Sequence, residues 1–519
     1  MKKILATTAA LASCLLFTGV LSAQAGILNA STVFVNRLSI PPLLDPVERN
    51  GVKVYDLTLR GGVQEFLPGK KAVTFGINGS YLGPTLRLHN GDQVRMDVAN
   101  MLGTDTTIHW HGMEIPAVMD GVYQIIKPDT MWEPTWTIRN QAATLWYHAH
   151  LMGHTGEQVY KGLAGLIIVD DANSESLRLP HRYGVDDIPV IVQDKMFDSD
   201  GQLHYEPMND NRAGPQGFLG DTFLVNGTYG PYVEVPRGWV RLRFLNASNA
   251  RRFNIGFDDG RAFYQIASDG GFLETPVKET RLVVGPASRV EILVDTTNGA
   301  TVHLMSYAVS DVEHASGAFA KFIMKRLAQD KDENQVFSLL EIRPNAEPGT
   351  ADPLPQRLNT IPRPDIKLAV RTRSFSMDRN SKINGRKMNV AAIDQVVNKD
   401  DVEIWRLSNN SPNFHPFHVH NVQFLVVDIN GKQPDPSQQG WLDTVLVYPG
   451  DHIRLLVQFK YYSDPHHPYM FHCHILEHED MGMMGQFVVV DRGTKPEEVS
   501  VDPAYMAEYS NPMNMGKEK

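Results

Sequence analysis

The chain has 519 residues, of which 42% are hydrophobic and 21% charged, with a formal net charge of −10. That is apolar material for about three or four domains, which excludes a disordered or fibrous protein. The acidic balance and the lack of any Lys/Arg cluster exclude a nucleic-acid partner.

Lys2 and Lys3 precede an apolar stretch from Ile4 to Val20, and Ala23-Gln24-Ala25 follows as a small-x-small site. This is the layout of a secretory signal peptide over 1–25, with cleavage near Ala25 and a periplasmic or secreted product. Leu11-Ala12-Ser13-Cys14 admits a second reading, a lipid anchor on Cys14. No later stretch is long and apolar enough to span a membrane. Cleavage would leave Cys473 as the single thiol, so no intrachain disulfide is expected and the lone cysteine requires another reason.

From residue 26 onward, short alternating apolar runs are separated by Gly, Pro, Asn and Asp, and helical periodicity is scarce. This is the pattern of an all-β protein. An Asn-Gly turn followed by a second turn opening an alternating strand occurs three times, beginning at Asn78-Gly79, Asn226-Gly227 and Asn384-Gly385. The spacing leaves room for a complete β-sandwich in each copy. The expected order is a first sandwich over 26–172, a polar connection, a second sandwich over 185–345, a proline-rich connection, a third sandwich over 366–493 and a flexible tail over 494–519.

Histidines cluster in the first and third of these units and not in the second. The first holds His109-Trp110-His111 and His148-Ala149-His150; the third holds His415, His418 and His420, then His472-Cys473-His474 and His478. Each cluster contains an i, i+2 pair, which on a strand sends both imidazoles to one face. Four such pairs point to metal, because imidazole is a ligand for copper, zinc, iron and nickel. Cys473 with His478 and Met483 supplies three members of the His₂Cys-plus-axial-Met set of a blue-copper centre, and His415 can supply the fourth. Met481 and Met484 stand beside Met483 as alternatives. On a strand, Cys473 faces away from His472 and His474, so one segment can serve a mononuclear site on one side and a cluster on the other.

These four motifs resemble those of the multicopper oxidases, a family that includes laccases, bilirubin oxidases, ferroxidases and bacterial cuprous oxidases. The resemblance implies three tandem cupredoxin-like Greek-key β-sandwich domains and four copper ions: a type 1 copper on His415, Cys473, His478 and Met483, and a type 2 copper on His109 and His418. It also implies a type 3 pair, with His111, His148 and His474 on one ion and His150, His420 and His472 on the other. The middle domain would be a spacer without ligands. By similarity to bacterial members, Asp120 and Glu479 are expected to relay protons for the reduction of dioxygen to water.

The methionine-rich insertion of bacterial cuprous oxidases is missing: Ser376-Met377-Asp378 runs almost directly into Lys382-Ile383-Asn384-Gly385, and Ser411-Pro412-Asn413-Phe414 precedes His415. Since thioethers select Cu(I), their absence favours laccase-like oxidation of phenols or aromatic amines at an exposed edge of His415 or His478. A metallo-oxidase acting on Cu(I), Fe(II) or Mn(II) in metal tolerance is the alternative, and a copper-free structural or division factor is a third reading. A monomer is expected.

Overall fold

The computed structural model describes residues 33–206, 216–309 and 335–509. The expected signal segment, including Cys14, and residues 510–519 of the tail lie outside them. Among the described residues six sheets form, two from each third of the chain. The first pair has four and six strands, with Tyr55, Leu57, Leu59, Ile167 and Val169 among the buried side chains between them. The second pair, of six and seven strands, encloses Val190, Phe244, Phe253 and Ile292. The third, of five and five, encloses Phe375, Trp405, Phe417, Phe471 and Phe487.

Alternation along the strands produces these cores. In Arg371–Asp378, Arg373, Phe375 and Met377 turn inward while Thr372 and Ser374 remain at the surface. Several strands depart from that rule by being buried on both faces, among them Ala143–His148, His415–Val419 and the last six residues of Asp464–Cys473. Both faces are covered because each strand lies against a neighbouring sandwich as well as its own core. The three named also carry histidine motifs.

Buried ion pairs within the second sandwich reach the first through the Thr144 hydroxyl. Arg243 holds Asp187 at 2.7 Å, Glu291 at 3.0 Å and the Thr144 hydroxyl at 2.9 Å. Two boundaries differ from the sequence expectation. Asn36–Arg37 pairs in parallel with Pro231–Arg237, so the start of the described chain adds a strand to the middle sandwich, with Leu38 in that core. Residues 494–509, expected to be mobile, contain the turn Pro496–Glu498 and the helix Pro503–Tyr509. The Tyr505 hydroxyl accepts from Gln124 Nε2 at 2.9 Å, and its ring meets Tyr123 edge-on. An apolar contact and a hydrogen bond offset the entropy of ordering that segment.

Candidate metal centre

Two strand registers bring the histidine motifs together. His415–Val419 runs antiparallel to Asp464–Cys473, with His418 opposite His472 and Phe417 opposite Cys473. In the first sandwich, His109 and His148 form an isolated bridge, His109 N–H donating to His148 O at 2.8 Å and His148 N–H to His109 O at 3.1 Å. The i, i+2 pairs therefore do not lie wholly on strands, as alternation alone would have them. His148 ends its strand and His150 lies beyond it; His472 is in a strand and His474 is in the bend after Cys473. Leaving the strand lets the second imidazole of each pair turn toward the other sandwich.

The first and third units thus pack eight buried imidazoles against one another: His109, His111, His148, His150, His418, His420, His472 and His474. In six of them the hydrogen bonds identify which ring nitrogen is free. His109 Nδ1 donates to Asp120 O and His418 Nδ1 to Asp443 O, each at 2.8 Å. His148 Nδ1 donates to Ala149 O at 2.9 Å, His472 Nδ1 to Cys473 O at 3.1 Å, and His420 Nδ1 to Asp120 Oδ2 at 2.7 Å. His111 is reversed: its Nε2 donates to Asp443 Oδ1 at 3.0 Å. Because the outer nitrogen of each of these six rings faces an oxygen acceptor, its inner nitrogen carries a lone pair.

Those inner nitrogens face each other. His420 Nε2 and His472 Nε2 are 3.1 Å apart, His150 Nε2 and His472 Nε2 3.3 Å, and His111 Nδ1 and His148 Nε2 3.4 Å. The inner nitrogens of His109 and His418, and both nitrogens of His474, have no hydrogen-bond partner among the described residues. Opposed lone pairs in a buried site repel unless a cation lies between them. Nitrogens sharing one first-row ion at ~2.0–2.1 Å stand roughly 3–3.5 Å apart, so the donor set fits metal. Burial and the neighbouring rings hold His111, His148, His418, His420 and His474 well below the ordinary imidazole range, and His150 down to about 4. These six rings are neutral at physiological pH, the form in which an imidazole can bind metal.

A second group lies on the other side of the Cys473 strand. Cys473 Sγ is 3.3 Å from His415 Nδ1 and 3.5 Å from His478 Nδ1, all three groups buried. Ser411 Oγ donates to Asn413 O at 3.0 Å and lies 2.7 Å from His415 Nε2, so it accepts from that nitrogen and leaves Nδ1 for the metal. Met483 is fully buried in the same core, its carbonyl accepting from Cys473 N–H at 3.1 Å. Burial pushes the Cys473 thiol up; a bound cation would reverse that by taking the thiolate.

Both expected relay carboxylates are buried at the imidazole cluster. Asp120 bridges His420, at 2.7 Å, and His109, at 3.4 Å. Glu479 lies 3.2 Å from His472 Nδ1 and 3.5 Å from His150 Nε2. Burial pushes its carboxyl up, but His150 and His472 outweigh that and hold it down at about 2. Gly121 is what permits Asp120 its position: at φ +81°, an added Cβ would stand 1.7 Å from Ile108 O.

The structure corrects one expectation and adds residues. His415 and His478 are each 3% exposed, so neither offers an open edge. Ala250 and Leu219 of the middle third pack against the core holding Cys473, and Phe218 N–H donates to Glu477 Oε2 at 3.1 Å. Asp443, Arg289, Glu477 and Asp480 were not singled out from sequence. Asp443 reaches a histidine 332 positions away, and no local pattern announces that. Glu477 accepts from Tyr205 and Asn249, at 2.9 and 2.8 Å, whereas Asp480 accepts from Thr155 and Gly156 N–H, at 2.9 and 2.8 Å, at the start of the helix Thr155–Lys161.

Comparison with known proteins agrees with this geometry. Residues 61–174 and 361–493 each match a sequence family described as multicopper oxidase. The cell division protein FtsP of Salmonella typhimurium is 40% identical over 458 residues, which cover 87% of this chain and 92% of FtsP. A bacterial laccase-like multi-copper oxidase, CueO from Ochrobactrum sp., superposes with a TM-score of 0.78 at 36% identity, over 87% of this chain and all of that one. The laccase of Pediococcus acidilactici gives 0.78 at 33% identity, over 88% and 94%.

Proposed function

Because this chain belongs to the multicopper oxidase family and has its fold of cupredoxin domains, we propose that it couples one-electron oxidation of phenols or aromatic amines to the four-electron reduction of dioxygen to water. The observation that carries this reading is the set of inward, opposed imidazole lone pairs described above. Four copper ions would be held as the sequence motifs assign them: type 1 on His415, Cys473, His478 and Met483, type 2 on His109 and His418, and type 3 on His111, His148 and His474 with His150, His420 and His472. Bound copper would supply the one-electron steps on the substrate side and the four-electron step on the oxygen side. The protein is exported and monomeric in this reading, with domains over 26–172, 185–345 and 366–493.

The chain's own groups do the rest. The Cys473 backbone joins the thiolate to His472 and His474, the shortest covalent path between the two groups of ligands. Asp120 and Glu479 are the carboxylates placed to pass on the protons that four electrons on dioxygen require, each within 3.5 Å of cluster imidazoles. Burial of His415 and His478 means that electrons from an organic reductant cross a protein layer rather than pass at a van der Waals contact with a bare ring.

Copper analysis, absorption spectroscopy and oxygen uptake with a panel of phenols, amines, Cu(I), Fe(II) and Mn(II) test the reading. About four coppers per chain, a thiolate-to-Cu(II) band and phenol-dependent oxygen consumption are expected; a far higher specificity constant for a metal ion moves the function to metallo-oxidation. The FtsP similarity favours a second reading, a role in cell division. A reconstituted protein that takes up no copper, together with a division defect when its gene is deleted, would establish that role in place of the oxidase.

A further inference from the structure

The middle third contributes no ligand to the proposed copper sites, yet one of its side chains grips a carboxylate that reaches the imidazole cluster. Arg289 opens the strand Arg289–Asp295 and is fully buried. Its five N–H donors are all engaged. Nη1 donates to Asp443 Oδ1 at 2.8 Å and Ala287 O at 3.0 Å, Nη2 to Asp443 Oδ2 at 2.5 Å and Asp269 O at 3.0 Å, and Nε to Thr144 O at 3.1 Å. A planar guanidinium with every donor fixed holds a carboxylate in one plane and one rotation, which a lysine cannot do.

Asp443 is equally buried and faces the cluster. Its Oδ1 accepts from His111 Nε2 and Thr444 Oγ1, each at 3.0 Å, and its backbone oxygen accepts from His418 Nδ1. The approach is close enough to constrain the sequence beside the ligand: a Cβ at Gly112, where φ is +85°, would stand 2.8 Å from Asp443 Oδ2 and 2.9 Å from Arg289 Nη2. His111 differs from the cluster rings that donate through Nδ1, since it donates through Nε2 and presents Nδ1 inward. The Asp443 carboxylate sets that reversal, because a ring that gives its proton to Asp443 keeps its lone pair on Nδ1, toward His148.

We propose that Arg289 is a positioning residue for the oxygen-reducing centre: by clamping Asp443 it fixes the tautomer and orientation of His111, so the middle domain completes a metal site to which it gives no ligand. The inference rests on the copper reading above. Without the clamp, Asp443 is a buried charge lacking its counterion, and rotation of its carboxylate removes the acceptor that selects Nδ1 of His111. His415, Cys473 and His478 do not contact the clamp and keep their arrangement.

The test compares wild type with Arg289→Lys, Arg289→Met and the double variant Arg289→Met/Asp443→Leu, all loaded with copper. The double variant replaces the buried pair with apolar side chains, a change that leaves many folds intact, so it remains informative if the single methionine variant does not fold. Copper per chain, the visible thiolate band, the near-ultraviolet band of the coupled pair and the electron paramagnetic resonance of uncoupled Cu(II) are measured. Both methionine-bearing variants are expected to keep the thiolate band and its redox midpoint while losing at least one copper and the near-ultraviolet band; lysine restores part of both. Full copper and an unchanged near-ultraviolet band in the folded double variant would overturn the proposal. Wild type that binds no copper would instead overturn the oxidase reading, so the two failures are distinct.

Discussion

Cys473 and His472 are consecutive in one strand, yet Cys473 Sγ lies 3.3 Å from His415 Nδ1 while His472 Nε2 lies 3.1 Å from His420 Nε2. Strand alternation sends the two side chains to opposite sides of one backbone, which makes the two metal groups separable by mutation. Cys473→Ser is expected to abolish the visible thiolate band and substrate oxidation while leaving the cluster imidazoles able to take copper. Metal content of about three per chain, with the near-ultraviolet band intact, is the expected result; loss of all copper would show that the two groups assemble only together.

Glu479 lies between His150 and His472 with both carboxylate oxygens buried and without hydrogen-bond partners among the described residues. Glutamine in its place keeps the shape and removes proton exchange. Glu479→Gln is expected to lower oxygen turnover by about 10²-fold or more, the size of a lost general acid, with the thiolate band unchanged. Stopped-flow reoxidation of the fully reduced protein isolates that step, and Glu479→Asp should recover part of the rate. Equal reoxidation rates in wild type and Glu479→Gln would remove Glu479 from the proton path.

The clustered histidines and Cys473 were legible in the sequence because their spacing is local. Pairs such as His109 and His111, or the run from His472 to His478, show their spacing without a fold. What surrounds them was not. Asp443 and Arg289 acquire meaning only when the third and second sandwiches meet the first, and an aspartate before a threonine, or an arginine at a strand start, has no signature of that contact. The burial around His415 and His478 was hidden for the same reason: Leu219 and Ala250, which pack against the core holding Cys473, come from a different third of the chain. Asn36–Arg37 was assigned to the nearest repeat in sequence, whereas parallel pairing with Pro231–Arg237 takes it to the next.

The helix Leu476–Asp480 carries successive side chains to four destinations. Glu477 reaches Tyr205 and Asn249, His478 the thiol, Glu479 the imidazole cluster, and Asp480 the start of Thr155–Lys161. Glu477 is therefore a tie between the third sandwich and the second. Glu477→Leu would strand the buried Asn249 amide, the Tyr205 hydroxyl and the Phe218 N–H, and is expected to cost about 2–4 kcal/mol. Denaturant unfolding of the metal-free protein measures that loss, and a change under about 0.5 kcal/mol would show that the tie carries no net stability.

Glu114 supplies a pH test away from the metal groups. It is half-buried beside Arg139 and Lys460, its Oε2 without a hydrogen-bond partner among the described residues, and burial pushes its carboxyl from 4.5 up to about 7 against the pull of both cations. Well below pH 4.5 the group is protonated in folded and unfolded chains alike and costs nothing. Between pH 4.5 and 7 the unfolded chain releases the proton while the folded chain retains it, so this group lowers stability as pH rises, and the penalty is complete above pH 7. Glu114→Gln removes the titration. Its melting temperature should match wild type near pH 4.5 and exceed it by a few degrees at pH 8, with the thiolate band unaffected at both. A difference that is constant across that range, or that shrinks as pH rises, would show that the carboxyl ionises in the folded protein as it does in water.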